Sequence, residues 1–224
     1  SVVWYSAWDG MRSIDYLLSR PEVDNSKKIG MTGTSGGGTQ TTFLMALDDR
    51  IGPAAPSCYT MQRTDKFLGH SGPADGCQHL ALEGLNGIDH IDYTLMRIPR
   101  PTNILAATRD FFEISSTREA ILDAKAAFST LGHNKKFSYY ECDAKHGMHV
   151  GHRQEATRWM LQWLYNDPFS VTEPKNIKLF TDTELQVTNS GQLFKEFDNE
   201  KDVAALNLQI AKELKKKRKS FWKN

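Results

Sequence analysis

The sequence predicts an α/β fold, a mostly parallel sheet with helices on both faces. Two observations predict it. Short apolar runs alternate along the chain with segments of helical periodicity, and one such run passes through a glycine-rich turn directly into a helix. The first helix lies within Ser6 to Arg20, where Met11, Ile14, Leu17 and Leu18 share one face and Pro21 marks the stop. Lys28 to Thr32 is a strand running into Gly33-Thr34-Ser35-Gly36-Gly37-Gly38, and Thr39 to Leu47 reads as the helix that follows. Ala54 to Tyr59 is a further strand candidate. Residues 61–98 are broken by Gly69, Gly72, Pro73, Gly76, Gly84 and Gly87 and read as an irregular insertion. Pro99 and Pro101 bracket the entry to a buried strand, Thr102 to Thr108. Ile121, Ala124, Phe128 and Leu131 form a helical stripe ended by Gly132, and Lys136 to Cys142 is a strand. Ala156, Trp159, Met160, Trp163 and Leu164 then recur at i, i+3, i+4, i+7 and i+8, an amphipathic helix that stops before Pro168. Beyond Phe169 the pattern loosens to a hairpin candidate (Glu184 to Phe194) and a terminal helix from Lys201. The expected organisation is a main domain over 1–167 and an appendage over 168–224.

With 224 residues, 39% hydrophobic and 10% aromatic, the chain can bury a sizeable core and is not of disordered composition. No apolar run approaches the roughly 18 residues of a membrane span, and no signal peptide opens the sequence. The net charge of +1 hides an asymmetry: residues 212–224 carry seven basic groups against Glu213, leaving 21 basic and 26 acidic groups on the rest. Such a tail is expected to be a solvated helix end, with neither nucleic acid nor membrane as partner. Cys58, Cys77 and Cys142 have neither the number nor the spacing of a disulfide framework or a zinc site.

Gly33-Thr34-Ser35-Gly36-Gly37 matches G-x-S-x-G, in which a serine is thrust out at a sharp strand-to-helix turn. Small neighbours are needed there because side chains would strike adjacent backbone, and the amide-rich helix start can hold an oxyanion. Neither G-K-[ST] nor G-x-G-x-x-G is present, so a phosphate or dinucleotide loop is excluded. A hydrolytic serine needs a base and an orienting acid. Asp110 follows the Thr102 to Thr108 strand at its carboxyl end, with Glu113 in reserve. His146 follows the Lys136 to Cys142 strand, with His149 as its rival. His146, His149 and His152 recur every three residues, but Gly147 and Gly151 make that segment a loop and the order fits no zinc pattern, so no metal is expected.

The chain resembles the α/β-hydrolase superfamily, most closely the acetyl xylan esterase and prolyl-oligopeptidase-like esterases. The residues that carry the resemblance are Gly33 to Thr39, Ser71-Gly72-Pro73-Ala74-Asp75-Gly76, Ile98-Pro99-Arg100-Pro101 leading into Thr108-Arg109-Asp110-Phe111-Phe112, and His146-Gly147. It covers residues 1–167, and Leu185 to Gln192 is similar to the short C-terminal appendage of such esterases. The resemblance implies that Ser35 attacks an ester carbonyl, His146 is the general base, Asp110 orients the imidazole and the Gly36 amide forms half the oxyanion hole. It implies small acyl groups on carbohydrate, no cofactor, and a secreted or periplasmic location. Tyr59 and Phe111 are expected to wall the pockets shaped by residues 61–98.

In the superfamily several strands precede the elbow strand, and a loop among them supplies the second oxyanion amide. Only 34 residues precede Ser35 here, holding one helix and at most a strand end at Val2-Val3-Trp4. The expectation is that an N-terminal segment or another chain completes the sheet, and that the chain alone is poorly soluble. Two other readings stand beside the esterase: a serine peptidase of the prolyl-oligopeptidase type, and a non-catalytic hydrolase-like binding module.

Overall fold

Four apolar segments pair in chain order into one parallel sheet. In the computed structural model, which describes residues 2–63, 76–167 and 169–222, these are β1 (Ile29–Thr34), β2 (Ile51–Ser57), β3 (Thr102–Ala107) and β4 (Phe137–Cys142), in the order β1-β2-β3-β4. Parallel neighbours need crossovers, and helices supply them: α1 (Val2–Ser19) precedes β1, α2 (Gly36–Leu47) joins β1 to β2, and α4 (Ile114–Thr130) joins β3 to β4. The short α3 (Asp92–Leu95) precedes β3, and α5 (Val150–Tyr165) follows β4. Every residue of β2 and β3 is buried, which explains why those stretches read as continuous apolar runs rather than alternating ones.

Past the irregularity between Ile51 and Ala54, where β2 gains a residue on β1, the two faces separate by strand parity. Ala54 packs with Ile14, Leu44, Met45 and Ile51 beneath α1 and α2, and Ile104 packs with Ala120, Ile121, Ala124 and Phe128 of α4. The adjacent residues point the other way: Ala55 and Leu105 meet Ala156 and Trp159 of α5. One amphipathic helix thus covers the second face, as the spacing from Ala156 to Leu164 predicts.

The N-terminal ends of the central strands are tied by one buried cation. The Arg97 guanidinium, 1% exposed, donates to the carbonyls of Met45 (3.1 Å), Pro101 (2.8 Å) and Gly52, and to the Thr102 hydroxyl. It bonds the C-terminal part of α2 to the starts of β2 and β3. Burial pulls its pKa down to about 9, still above neutral, and the carbonyl ring compensates the buried charge.

Two expectations are corrected. Val2 to Trp4 is not a strand end but the first turn of α1, which runs unbroken to Ser19. The hairpin expected over Glu184 to Phe194 is instead two single-turn helices, α6 (Asp182–Leu185) and α7 (Leu193–Glu196). Thr181 and Glu184 form a reciprocal capping box, which satisfies local donors that a hairpin would have spent on a ladder. Residues 1–173 and 174–224 are two compact units, the second ending in α8 (Val203–Phe221), capped by Asp202. The three cysteines are free thiols, and no described helix is long and apolar enough to cross a membrane.

Replacing Arg97 by Met should strand several buried carbonyls at once. Each unsatisfied acceptor costs about 1–3 kcal/mol, so a loss of at least about 3 kcal/mol in urea unfolding is expected, with the m-value unchanged.

Candidate active site

Ser35 sits between β1 and α2 with φ 57° and ψ −119°, a conformation that costs a non-glycine residue energy. Two bonds hold it there: its amide donates to the Ser57 carbonyl at the end of β2 (3.0 Å), and its carbonyl accepts from the Thr39 amide (2.8 Å). The turn's glycines divide by role. A Cβ on Gly33 would lie 2.6 Å from the Gly37 carbonyl oxygen, and one on Gly38 would lie 2.4 Å from the Ser57 oxygen. Gly36 and Gly37 face open space. The expectation of steric need is therefore met at Gly33 and Gly38, whereas Gly37, which completes the five-residue motif, meets nothing. Gly36 opens α2, so its amide is among those without an intrahelical acceptor.

Asp110 and His146 are brought together by an extension of the β3–β4 pairing. Beyond the strands, the Thr108 amide donates to the Cys142 carbonyl (3.0 Å) and the Arg109 amide to that of Ala144 (2.9 Å). The two loops therefore leave the sheet side by side. His146 Nδ1 lies 2.9 Å from both carboxylate oxygens of Asp110, and Oδ1 also accepts from the Phe112 amide (3.2 Å). The Asp110 side chain is 1% exposed and the imidazole 24%. An ionised carboxylate can only accept, so in this contact Nδ1 is the donor. Among the described residues, neither His146 Nε2 nor Ser35 Oγ has a hydrogen-bond partner.

The reserve residues are occupied elsewhere. Glu113 is the N-cap of α4, accepting from Ser115, and His149 donates to the Lys145 carbonyl (2.8 Å). His152 is fully buried, with Nδ1 3.0 Å from the Gly147 carbonyl and Nε2 2.9 Å from that of Ala106. It ties the loop bearing His146 to the end of β3. This positioning role was missed by sequence reasoning, because Gly147 and Gly151 read as a loop, whereas the helix α5 begins at Val150 and includes Gly151 and His152. The three histidines do not converge.

Of the two expected pocket walls, one stands at the site. The Phe111 ring is 48% exposed and centred 4.2 Å from the imidazole. Tyr59 is corrected to a core residue: it is 1% exposed, stacked on His90 at 4.4 Å, and its hydroxyl donates to the Gln78 carbonyl. Behind these, Arg63 pairs with Glu83 in the interior (2.9 Å), and Glu83 also accepts from the Tyr93 hydroxyl. This buried network anchors part of the 61–98 insertion. Ser71 to Asp75, part of the sequence resemblance, lie outside the described residues.

No family profile and no curated protein matches the chain. Solved structures do. The methylesterase BT1017 is 22% identical with a TM-score of 0.57, over 70% of this chain and 34% of that one. A carbohydrate esterase family 15 glucuronoyl esterase from Caldicellulosiruptor kristjansonii is 16% identical with a TM-score of 0.56, over 77% and 53%. The glucuronoyl esterase catalytic domain from Hypocrea jecorina is 18% identical with a TM-score of 0.54, over 75% and 54%. The fold is that of the α/β-hydrolases. The chain spans between a third and about half of the length of these structures.

The division of the glycines is testable by thermal and urea unfolding. Gly37→Ala should change stability by no more than about 1 kcal/mol, because the new methyl meets nothing and gains helix propensity. Gly38→Ala should cost about 2 kcal/mol or more, because the methyl strikes backbone rather than a movable side chain.

Proposed function

We propose that this chain carries the catalytic machinery of a serine carboxylesterase acting on carbohydrate esters. The observation that carries the reading is the buried Asp110 bonded to His146, on the same edge of the sheet as a serine held at positive φ. In the proposed reaction Ser35 Oγ attacks the ester carbonyl while His146 Nε2 takes its proton. Asp110 fixes the tautomer and steadies the imidazolium as it forms. The carbonyl oxygen, negative in the tetrahedral intermediate, accepts from the Gly36 amide. Return of the proton from Nε2 expels the alcohol, and a water deprotonated by the same nitrogen then hydrolyses the acyl-serine. Phe111 covers one side of the imidazole and forms a wall of the pocket.

The neighbours' names support ester hydrolysis on carbohydrate and leave two ester types. In one, an acetyl group is carried by a sugar hydroxyl, as the sequence resemblance implies. In the other, a sugar acid supplies the carbonyl, as the name glucuronoyl esterase implies. We favour the acetyl ester, because the elbow and the segment around Asp110 carry that resemblance. Side-by-side assay of an acetylated xylooligosaccharide, a methyl uronate and a prolyl amide separates these readings. Preference for the uronate would move the substrate class, and preference for the amide would overturn the esterase reading.

We also propose that activity requires a segment flanking β1. Among the described residues β1 pairs only with β2, and it is half-buried where β2 and β3 are wholly buried. Such a segment would cover that edge and supply the second oxyanion donor.

Two outcomes test the machinery. A fluorophosphonate should form a single adduct on Ser35, read by peptide mapping, and Ser35→Ala should lower turnover by about 10⁴-fold or more with the fold intact. Asp110→Asn should lower kcat by about 10³–10⁴-fold, because the amide favours the wrong tautomer of His146. No adduct, either alone or with a flanking segment supplied, would mark a non-catalytic module.

A further inference from the structure

The catalytic pair has a neighbour that the reaction does not use. Cys58 follows β2 with φ 51° and is 3% exposed. Its Sγ lies 3.7 Å from the Gly147 carbonyl, next to His146, and 3.6 Å from the Ser57 hydroxyl. The thiol, a carboxylate oxygen of Asp110 and a ring nitrogen of His146 all lie within 4.8 Å of one another. This is the one such cluster of possible ligands among the described residues. The three donors come from the ends of three adjacent strands, so the sheet itself holds them together.

We propose that Cys58, Asp110 and His146 form an inhibitory site for a thiophilic divalent cation of the zinc type. One thiolate, one imidazole and one carboxylate suit zinc better than magnesium or calcium, which select oxygen ligands. Tetrahedral zinc bonds of about 2.0–2.3 Å set donors about 3.3–3.7 Å apart, so the 2.9 Å His146–Asp110 contact would open slightly and the thiol, within 4.8 Å of both, would close on them. The ion would take the place of the proton between His146 Nδ1 and Asp110; the neutral imidazole then carries its proton on Nε2, and the thiol proton leaves to solvent. With Nε2 protonated no ring lone pair remains to take a proton, so the occupied form cannot act as a base. Three protein ligands leave a fourth position for water. The approach is through His146, the most exposed of the three. The ion in this reading is a regulator and has no part in turnover.

Ion binding stands independently of the esterase reading, while the inhibition rests on it, so the two are read separately. The first measurement uses the full chain with Cys77→Ser and Cys142→Ser, leaving Cys58 as the sole thiol. Titration with Co²⁺ should give a saturable thiolate-to-metal charge-transfer band at one ion per chain, and Zn²⁺ should displace it. His146→Gln, a partly exposed substitution, should weaken the band's midpoint at least tenfold, and Asp110→Asn should do the same. No band, or a band indifferent to both substitutions, would overturn the proposal. In the second measurement, Zn²⁺ should reduce ester turnover of the native chain at least tenfold, with recovery on chelation. The ratio of turnover with and without Zn²⁺ should return to about one in Cys58→Ser. If the band forms and turnover is indifferent to Zn²⁺, the site exists but is not inhibitory. If no turnover is found with any ester, the band alone decides the site.

Discussion

The Ser57 carbonyl is the point on which the site turns. It accepts the Ser35 amide at 3.0 Å, and it lies where a side chain on residue 38 would have to begin. A helix can approach a neighbouring strand that closely only if it starts with glycine, and only then can the preceding residue be forced to positive φ. The cost of that backbone is of order 1–3 kcal/mol. It is offset by burial on both sides of β2, where every residue is inaccessible. A strained serine therefore requires a central strand that cannot move, and the small and apolar composition of β2, from Ile51 to Pro56, follows from that requirement.

Rigidity at the other end of the sheet has a different origin. Arg97 gathers carbonyls from α2, β2 and the start of β3, so the strands are clamped at their N-terminal ends by charge-assisted bonds. At the C-terminal ends the corresponding work is done by extending the ladder: Thr108 and Arg109 continue the pairing with β4 past the last strand residues. His152 then pins the returning loop to Ala106. Loops that leave a sheet in register and are tied back to it can place two side chains within 3 Å without help from a ligand.

Much of this was legible in the residues. The β1–α2 elbow, the two central strands and α5 declared themselves through apolar runs and 3.6-residue spacing, because those signals come from burial on known faces. Asp110 and His146 were legible from their place just after strands. Choosing them over Glu113 and His149 gains support only in three dimensions, since a helix cap and a carbonyl contact leave no trace in composition. Tyr59 misled for a related reason. An aromatic after a strand looks like a pocket wall, but its neighbours Phe112 and His90 come from distant parts of the chain. The hairpin expected at Glu184 to Phe194 failed because Thr181 and Glu184 satisfy each other locally, and local capping beats a weak alternation of apolar residues.

The site is assembled asymmetrically, and that asymmetry shapes what can go wrong with it. Asp110 and His146 hang from β3 and β4, and β3 is buried along its whole length, so their 2.9 Å contact is supported from both faces of the sheet. Ser35 hangs from β1, which among the described residues has a neighbour on one side only and is half-buried. Its position rests on two backbone bonds and the glycine contacts of α2. Any loosening at the β1 edge therefore reaches Ser35 before it reaches Asp110 and His146. The same asymmetry leaves the thiol of Cys58 beside the steadier half of the site. The donors that could capture an ion thus stay in place even where the serine is displaced. The ion binding proposed at that half and the chemistry proposed at the elbow are therefore separable.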